Sequence, residues 1–245
     1  MGAAPPARLG SFGPPLADRG ENDRMIRRIG GWAGVIGPSL FVLVFLVEGW
    51  LRPGYDPAAD YVSALALGER GWVQVTNFLI VGVCLLLFTA AVSREFPQGA
   101  ASRAGPILLG SIGAGLLLSG PFVMDPIGTP PGVMTWHGLV HGILGAIVFV
   151  LMPIVCFVYL RRFARDARWR GLWPVTLILG TITAVADVVF TLATKVPSLV
   201  TLTAPWAGLL QRLVLIPFMV WIAVFANGLL VRHVGRSVPR PIQDA

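Results

Sequence analysis

The chain has 245 residues, of which 55% are hydrophobic and 13% charged, and its mean hydropathy is +0.75. An ordinary soluble domain is about 25% charged, so this composition excludes one and points to membrane helices. A net charge of +7 and a pI near 10.7 would suit a nucleic-acid binder. The basic residues, however, are confined to short segments between apolar runs, which argues against that reading.

In chain order, residues 1–23 are rich in Ala, Pro, Gly and charge and read as a disordered cytoplasmic tail, which extends through basic residues to 28. Met25 is an alternative translation start. No small-residue cleavage site follows the first apolar run, which argues against a signal peptide. Six apolar runs follow: Trp32–Leu51, Trp72–Val92, Ala104–Met124, Trp136–Leu160, Leu172–Ala193 and Trp206–Val231. Each matches the roughly 20 residues that cross a hydrocarbon core as a helix, and none alternates as a barrel strand would. The expected fold is all-α: a six-span bundle over residues 29–232, closed by a cytoplasmic tail of residues 233–245.

The connections carry their own signals. Asp56-Pro57 reads as a helix cap and Gly68 as a stop, which predicts a short surface helix over Ala58–Leu67 with Asp60 and Ser63 on one face. The segment RRFARDARWR is an orientation signal. It also predicts contact of Arg161, Arg162, Arg165 and Arg168 with an anionic inner leaflet, at about 1 kcal/mol per basic residue. Small residues recur every fourth position, as Ser111, Gly115 and Ser119 on the third run and Gly138, Gly142 and Ala146 on the fourth, and predict close helix packing. Cys84 and Cys156 lie inside runs and read as packing residues, neither a disulfide framework nor a metal motif.

Charge sets the orientation. The first tail, the second and fourth connections and the last tail hold nearly all Lys and Arg, leaving only Arg52, Arg70, Lys195 and Arg212 elsewhere. Basic segments stay cytoplasmic, so both termini are expected inside a plasma membrane, as in a bacterial inner membrane. Trp32, Trp50, Trp72, Trp136, Trp173 and Trp206 fall at run ends, where interfacial rings belong.

In that orientation the ionisable residues near the hydrophobic interior form one outer layer: Glu48, Asp60, Asp125, His137, His141, Asp187 and Arg212, with Ser63 and Gln211 beside them. His137 and His141 are four apart, hence on one helix face, which suits two ligands of a zinc ion with Asp125 as a third and water as a fourth. Such water would be a hydrolytic nucleophile, and Ser63 is a second candidate if a base adjoins it. Both histidines would otherwise bond to loop carbonyls or water. Asp187 and Arg212 predict an ion pair between adjacent spans, or a relay in which Asp187 carries a proton and Arg212 an anion. Tyr55 and Tyr61 read as interfacial anchors.

The run YDPAADYVSALALGERGWVQVTNFLIVG at residues 55–82 resembles the domain of unknown function 998 family of bacterial and archaeal membrane proteins, as do SGPFVMDPIGTPPG at 119–132 and TWHGLVH at 135–141. The resemblance implies a six-span architecture over most of residues 31–231 and no particular activity. It puts Asp60, Ser63, Asp125 and His137 at motif positions, the last motif ending on His141. In residue types alone, a Ser, an Asp and an HxxxH pair are similar to ceramidase and adiponectin-receptor-like membrane hydrolases, which usually have seven spans and a further histidine. The expected function is an outward-facing polar pocket with Asp60, Asp187 and Arg212 as binding residues, taking a lipid headgroup or small polar ligand. The alternatives are a metal-dependent intramembrane hydrolase and a proton-coupled carrier.

Overall fold

The computed structural model describes residues 16–234, and all regular structure within them is helical. The α-helices are α1 (Leu16–Leu51), α2 (Gly71–Glu95), α3 (Ala104–Leu118), α4 (Trp136–Arg165), α5 (Trp173–Lys195), α6 (Pro197–Thr203) and α7 (Ala207–Val234). Five of them, α1, α2, α4, α5 and α7, are long and apolar enough to cross a membrane, and α3 is a shorter apolar helix. The chain is a multi-pass membrane protein.

α1 starts at Leu16, so residues 16–28 of the expected tail are helical, while residues 1–15 and 235–245 lie outside the described residues. This helical start is tied to the end of α2: Arg27 Nη1 lies 2.7 Å from Glu95 Oε2 and Arg94 Nη1 lies 3.1 Å from Asp23 Oδ1.

α3 also departs from expectation. Its 15 residues rise about 22 Å, short of the roughly 30 Å core. Pro121 disfavours helix at the residue before it and donates no backbone bond, so the run continues to Met124 as a turn and irregular chain.

Successive large helices are neighbours: α1 packs on α2, α2 on α3, α3 on α4, α4 on α5 and α5 on α7. α7 returns to α1 and closes a ring. The two described chain ends therefore share one end, called here the terminal end; the end carrying residues 52–70 and 119–135 is the distal end. Glycines on α1 set close seams. A Cβ at Gly34 would strike Phe88 and Ala226, and one at Gly37 would strike Cys84, so small residues let α1 sink between α2 and α7. Of the expected stripes, Gly115, Ser119 and Gly138 are buried, whereas Ser111, Gly142 and Ala146 lie on the exposed surface.

The terminal half is filled by aromatic rings. Phe96, Tyr159, Phe163, Trp169 and Phe225 are fully buried, and centroid distances of 5.0 Å (Phe96–Trp169) and 4.9 Å (Tyr159–Phe225) mark close packing. Trp169 and Phe163 thus turn inward rather than lying on a leaflet. Arg232 lies 4.1 Å over the Trp169 ring and donates to the Arg168 carbonyl. Arg162, expected to face lipid, instead donates to the carbonyls of Gln98 and Ala100 and pairs with Asp166 at 3.1 Å. Arg161, Arg165 and Arg168 are exposed. The run-end tryptophans face outward, Trp50 being 83% exposed.

Candidate functional site

The distal end is built around the 52–70 connection. The expected surface helix over Ala58–Leu67 is replaced by a turn at 56–60 and a 3-10 helix at Val62–Ala66. Asp56 still acts as a cap, its carboxylate accepting from the Ala58 amide at 2.9 Å. Tyr61 then adopts an extended conformation that breaks the helix and drives Val62 and Leu65, both fully buried, into the bundle. An apolar stretch buried from water this way is more stable than one lying on the surface. Asp60 and Ser63 consequently do not share a face: the Asp60 carboxylate accepts from the Asp56 amide, while Ser63 lines a cavity inside the ring.

α7 holds this connection down. Its first amides, Gly208 and Leu209, donate to the carbonyls of Ala59 and Ala58 at 3.1 and 2.8 Å. A Cβ at Gly208 would collide with the Asp60 carbonyl, so only glycine permits the approach. Gln211 accepts from the Val62 amide at 2.7 Å. Arg212, 5% exposed, donates through Nη1 to the carbonyls of Pro57, Asp60 and Gly208 and through Nη2 to the Tyr55 hydroxyl at 2.5 Å. Burial pushes the Tyr55 phenol above its usual pKa, with the Arg212 guanidinium acting the other way. Tyr55 is therefore part of the clamp rather than a lipid anchor. Tyr61 packs edge-on against Phe190 at 5.9 Å.

The expected Asp187–Arg212 ion pair does not form. Arg212 sits about one and a half turns into α7, where loop carbonyls converge on it, and Asp187 lies deeper on α5 with its Oδ1 buried and without a hydrogen-bond partner. The charge at the distal end is instead paired elsewhere. Buried Glu48 takes Arg52 at 2.8 Å and Arg70 at 2.7 Å.

The expected zinc ligands are likewise directed to other partners. Asp125 accepts from the Thr135 amide and hydroxyl at 2.9 and 2.8 Å, and the same hydroxyl accepts from the Gly138 amide. Asp125 is thus a second layer of the α4 N-cap, where a carboxylate also meets the positive end of the helix dipole. His141 Nδ1 donates to the Phe122 carbonyl at 2.7 Å, satisfying backbone freed where α3 stops. His137 is exposed and packs beside Trp136 at 3.8 Å. Among the described residues no group of three or more His, Cys, Asp or Glu side chains is gathered closely enough to hold a metal ion, so His137, His141 and Asp125 do not fit zinc.

One cavity gathers polar groups from several elements. It has a volume of about 30 Å³, room for a water-sized group or two. Ser63 reaches it from the 3-10 helix, Ser119 from the end of α3, His141 from α4 and Gln211 from α7, and Phe41, Phe78 and Phe149 supply apolar wall. Of the expected site residues, Ser63 and His141 are brought together here; Asp60, Asp125, His137, Asp187 and Arg212 do not line it. Ser119 and Gln211 had been legible only as a packing residue and a polar neighbour. Two further amides were missed in the second run. Asn77 donates to the Phe41 carbonyl at 3.1 Å and to Gln74 at 3.2 Å, both amides buried in α2. Their signal was an Asn and a Gln three apart inside an apolar helix.

No curated protein and no solved structure matches the chain. A family model described as a protein of unknown function (DUF998) matches residues 35–228, a stretch that contains the 52–70 connection, the capped start of α4 and all the cavity-lining residues. The chain belongs to the DUF998 family.

Proposed function

We propose that this is a six-span protein of the plasma membrane, a bacterial inner membrane, with both termini cytoplasmic and the distal end outward. There its cavity receives a small polar ligand or the head of a lipid. The observation that carries this reading is the convergence of Ser63, Ser119, His141 and Gln211, from four separate elements, on one space walled by Phe41, Phe78 and Phe149. Polar side chains inside a bundle are costly unless bonded or used, and ligand sites in membrane proteins gather at such points. The 52–70 connection, clamped by Gln211 and Arg212, covers the cavity with Val62 and Ser63.

Gly145 supplies the test. It lines the cavity, and a Cβ there meets nothing within 4 Å, so Gly145→Val adds bulk at the lining without a clash at Cβ. Native mass spectrometry of the protein released from nanodiscs of bacterial lipid extract is expected to show a bound species on wild type that the variant lacks. Identical bound-species profiles in two folded samples would refute the reading.

A proton-coupled carrier is the second reading, favoured by the buried, unpartnered Oδ1 of Asp187 in the wall between α5 and its neighbours. Arg161, Arg165 and Arg168, exposed at the terminal end, are proposed to meet anionic lipid.

A further inference from the structure

The chemistry lining the cavity also selects the kind of ligand, an inference that rests on the cavity being a binding site. No Asp, Glu, Lys or Arg side chain lines it. Charged residues near it at the distal end are engaged: Glu48 with Arg52 and Arg70, Asp125 with Thr135, and Arg212 with three carbonyls and Tyr55. A phosphate, carboxylate or ammonium group entering among Phe41, Phe78 and Phe149 would lose its hydration and gain no counter-charge.

The hydrogen-bonding groups left over are neutral and of both kinds. The Ser119 hydroxyl donates to the Gly115 carbonyl at 2.8 Å, which leaves its oxygen as an acceptor. Because a carbonyl only accepts, His141 Nδ1 carries the proton toward Phe122, and in the uncharged ring Nε2 is an acceptor. Gln211 takes the Val62 amide on Oε1, which leaves its NH₂ group as a donor, and Ser63 can serve either way. A hydroxyl, with one donor and two acceptor positions, matches this set. It also matches the size, since about 30 Å³ admits a water-sized group and no tetrahedral phosphate.

We infer that the cavity takes the uncharged hydroxyl end of an alcohol, either a neutral lipid with a free hydroxyl or a small water-soluble alcohol, and rejects ionic headgroups. The full chain in nanodiscs containing equal dioleoylglycerol and dioleoyl phosphatidic acid, which share acyl chains, distinguishes these by native mass spectrometry. Wild type is expected to retain dioleoylglycerol at least roughly tenfold over the acid. Gly145→Val should lose this retention. Gly142→Val, at an exposed glycine with open space around it and outside the cavity, should keep it and shows that valine on α4 is tolerated. In lipid-only discs, 1-hexanol is compared with hexanoate and hexylamine by their shift of the thermal midpoint. A Gly145-dependent shift with hexanol alone supports the inference with a water-soluble source. Gly145-dependent preference for phosphatidic acid, hexanoate or hexylamine overturns the neutral-hydroxyl inference and keeps the binding site. No Gly145-dependent effect of any probe overturns both.

Discussion

Arg212 shows how a buried cation is accommodated without a carboxylate. Three carbonyls and a phenol take its Nη hydrogens, and the carbonyls come from the connection that roofs the cavity and from its own helix. The planar fork is what makes several acceptors reachable at once; an ammonium is a point charge with three donors on a flexible stem. Arg212→Lys should therefore destabilise by about 2–4 kcal/mol, since charged hydrogen bonds are lost while the charge stays buried. Cys156, buried and unpaired, is a built-in reporter. Reaction of its thiol with a fluorogenic maleimide during heating should begin several degrees lower in the variant, and an unchanged onset would mean that the carbonyl cage contributes no stability. His141 makes a similar point about backbone: its ring takes the Phe122 carbonyl just past the break after α3.

Among the elements, the segment between α4 and α5 departs most from a surface loop. Trp169 folds beneath it into the aromatic core, and Asp166 stitches it, bonded to the Arg168 amide and guanidinium and to Arg162. The Arg168 hydrogen bond, opposed by partial burial and aided by the charges of Arg168 and Arg162, holds the Asp166 carboxyl below its ordinary pKa. A carboxylate with a depressed folded-state pKa contributes stability that is fully present above its unfolded pKa, about 3.9, and is lost as pH falls through the folded value. The thermal midpoint of wild type should therefore fall more steeply below about pH 4 than that of Asp166→Asn. Above that pH the variant should be the less stable of the two, and parallel curves would show that this carboxylate is not coupled to folding.

For the whole molecule, the ring of six helices places both described chain ends on one side, and the proposed orientation is directly testable. After Cys84 and Cys156 are replaced by Ala, a cysteine at Ser102, between α2 and α3, should react with a membrane-impermeant maleimide only in inside-out vesicles. One at Thr129, between α3 and α4, should react in intact cells. The reverse pattern would invert the topology, and reaction of both from one side would mean that α3, at 15 residues, fails to cross.

The sequence by itself determined that this is an all-helical, multi-pass membrane protein of the DUF998 family, and where its long helices run. Hydropathy integrates over some twenty residues, and a helix in lipid must satisfy its own backbone, so such runs have one solution. It also marked Asp56 and Gly68 as start and stop signals and Ser63 and His141 as residues to watch. The tertiary structure decided which side chains meet. Hydropathy does not encode helix rotation about its axis, so the Asp187–Arg212 pair looked available while Arg212 in fact faces loop carbonyls. Histidine spacing shows only a shared helix face, so the distance from His141 to the broken end of α3 was hidden. Whether the residues after Asp56 lie on the surface or plunge inward depended on the room left at the distal end of the ring, and only the closed bundle defines that space.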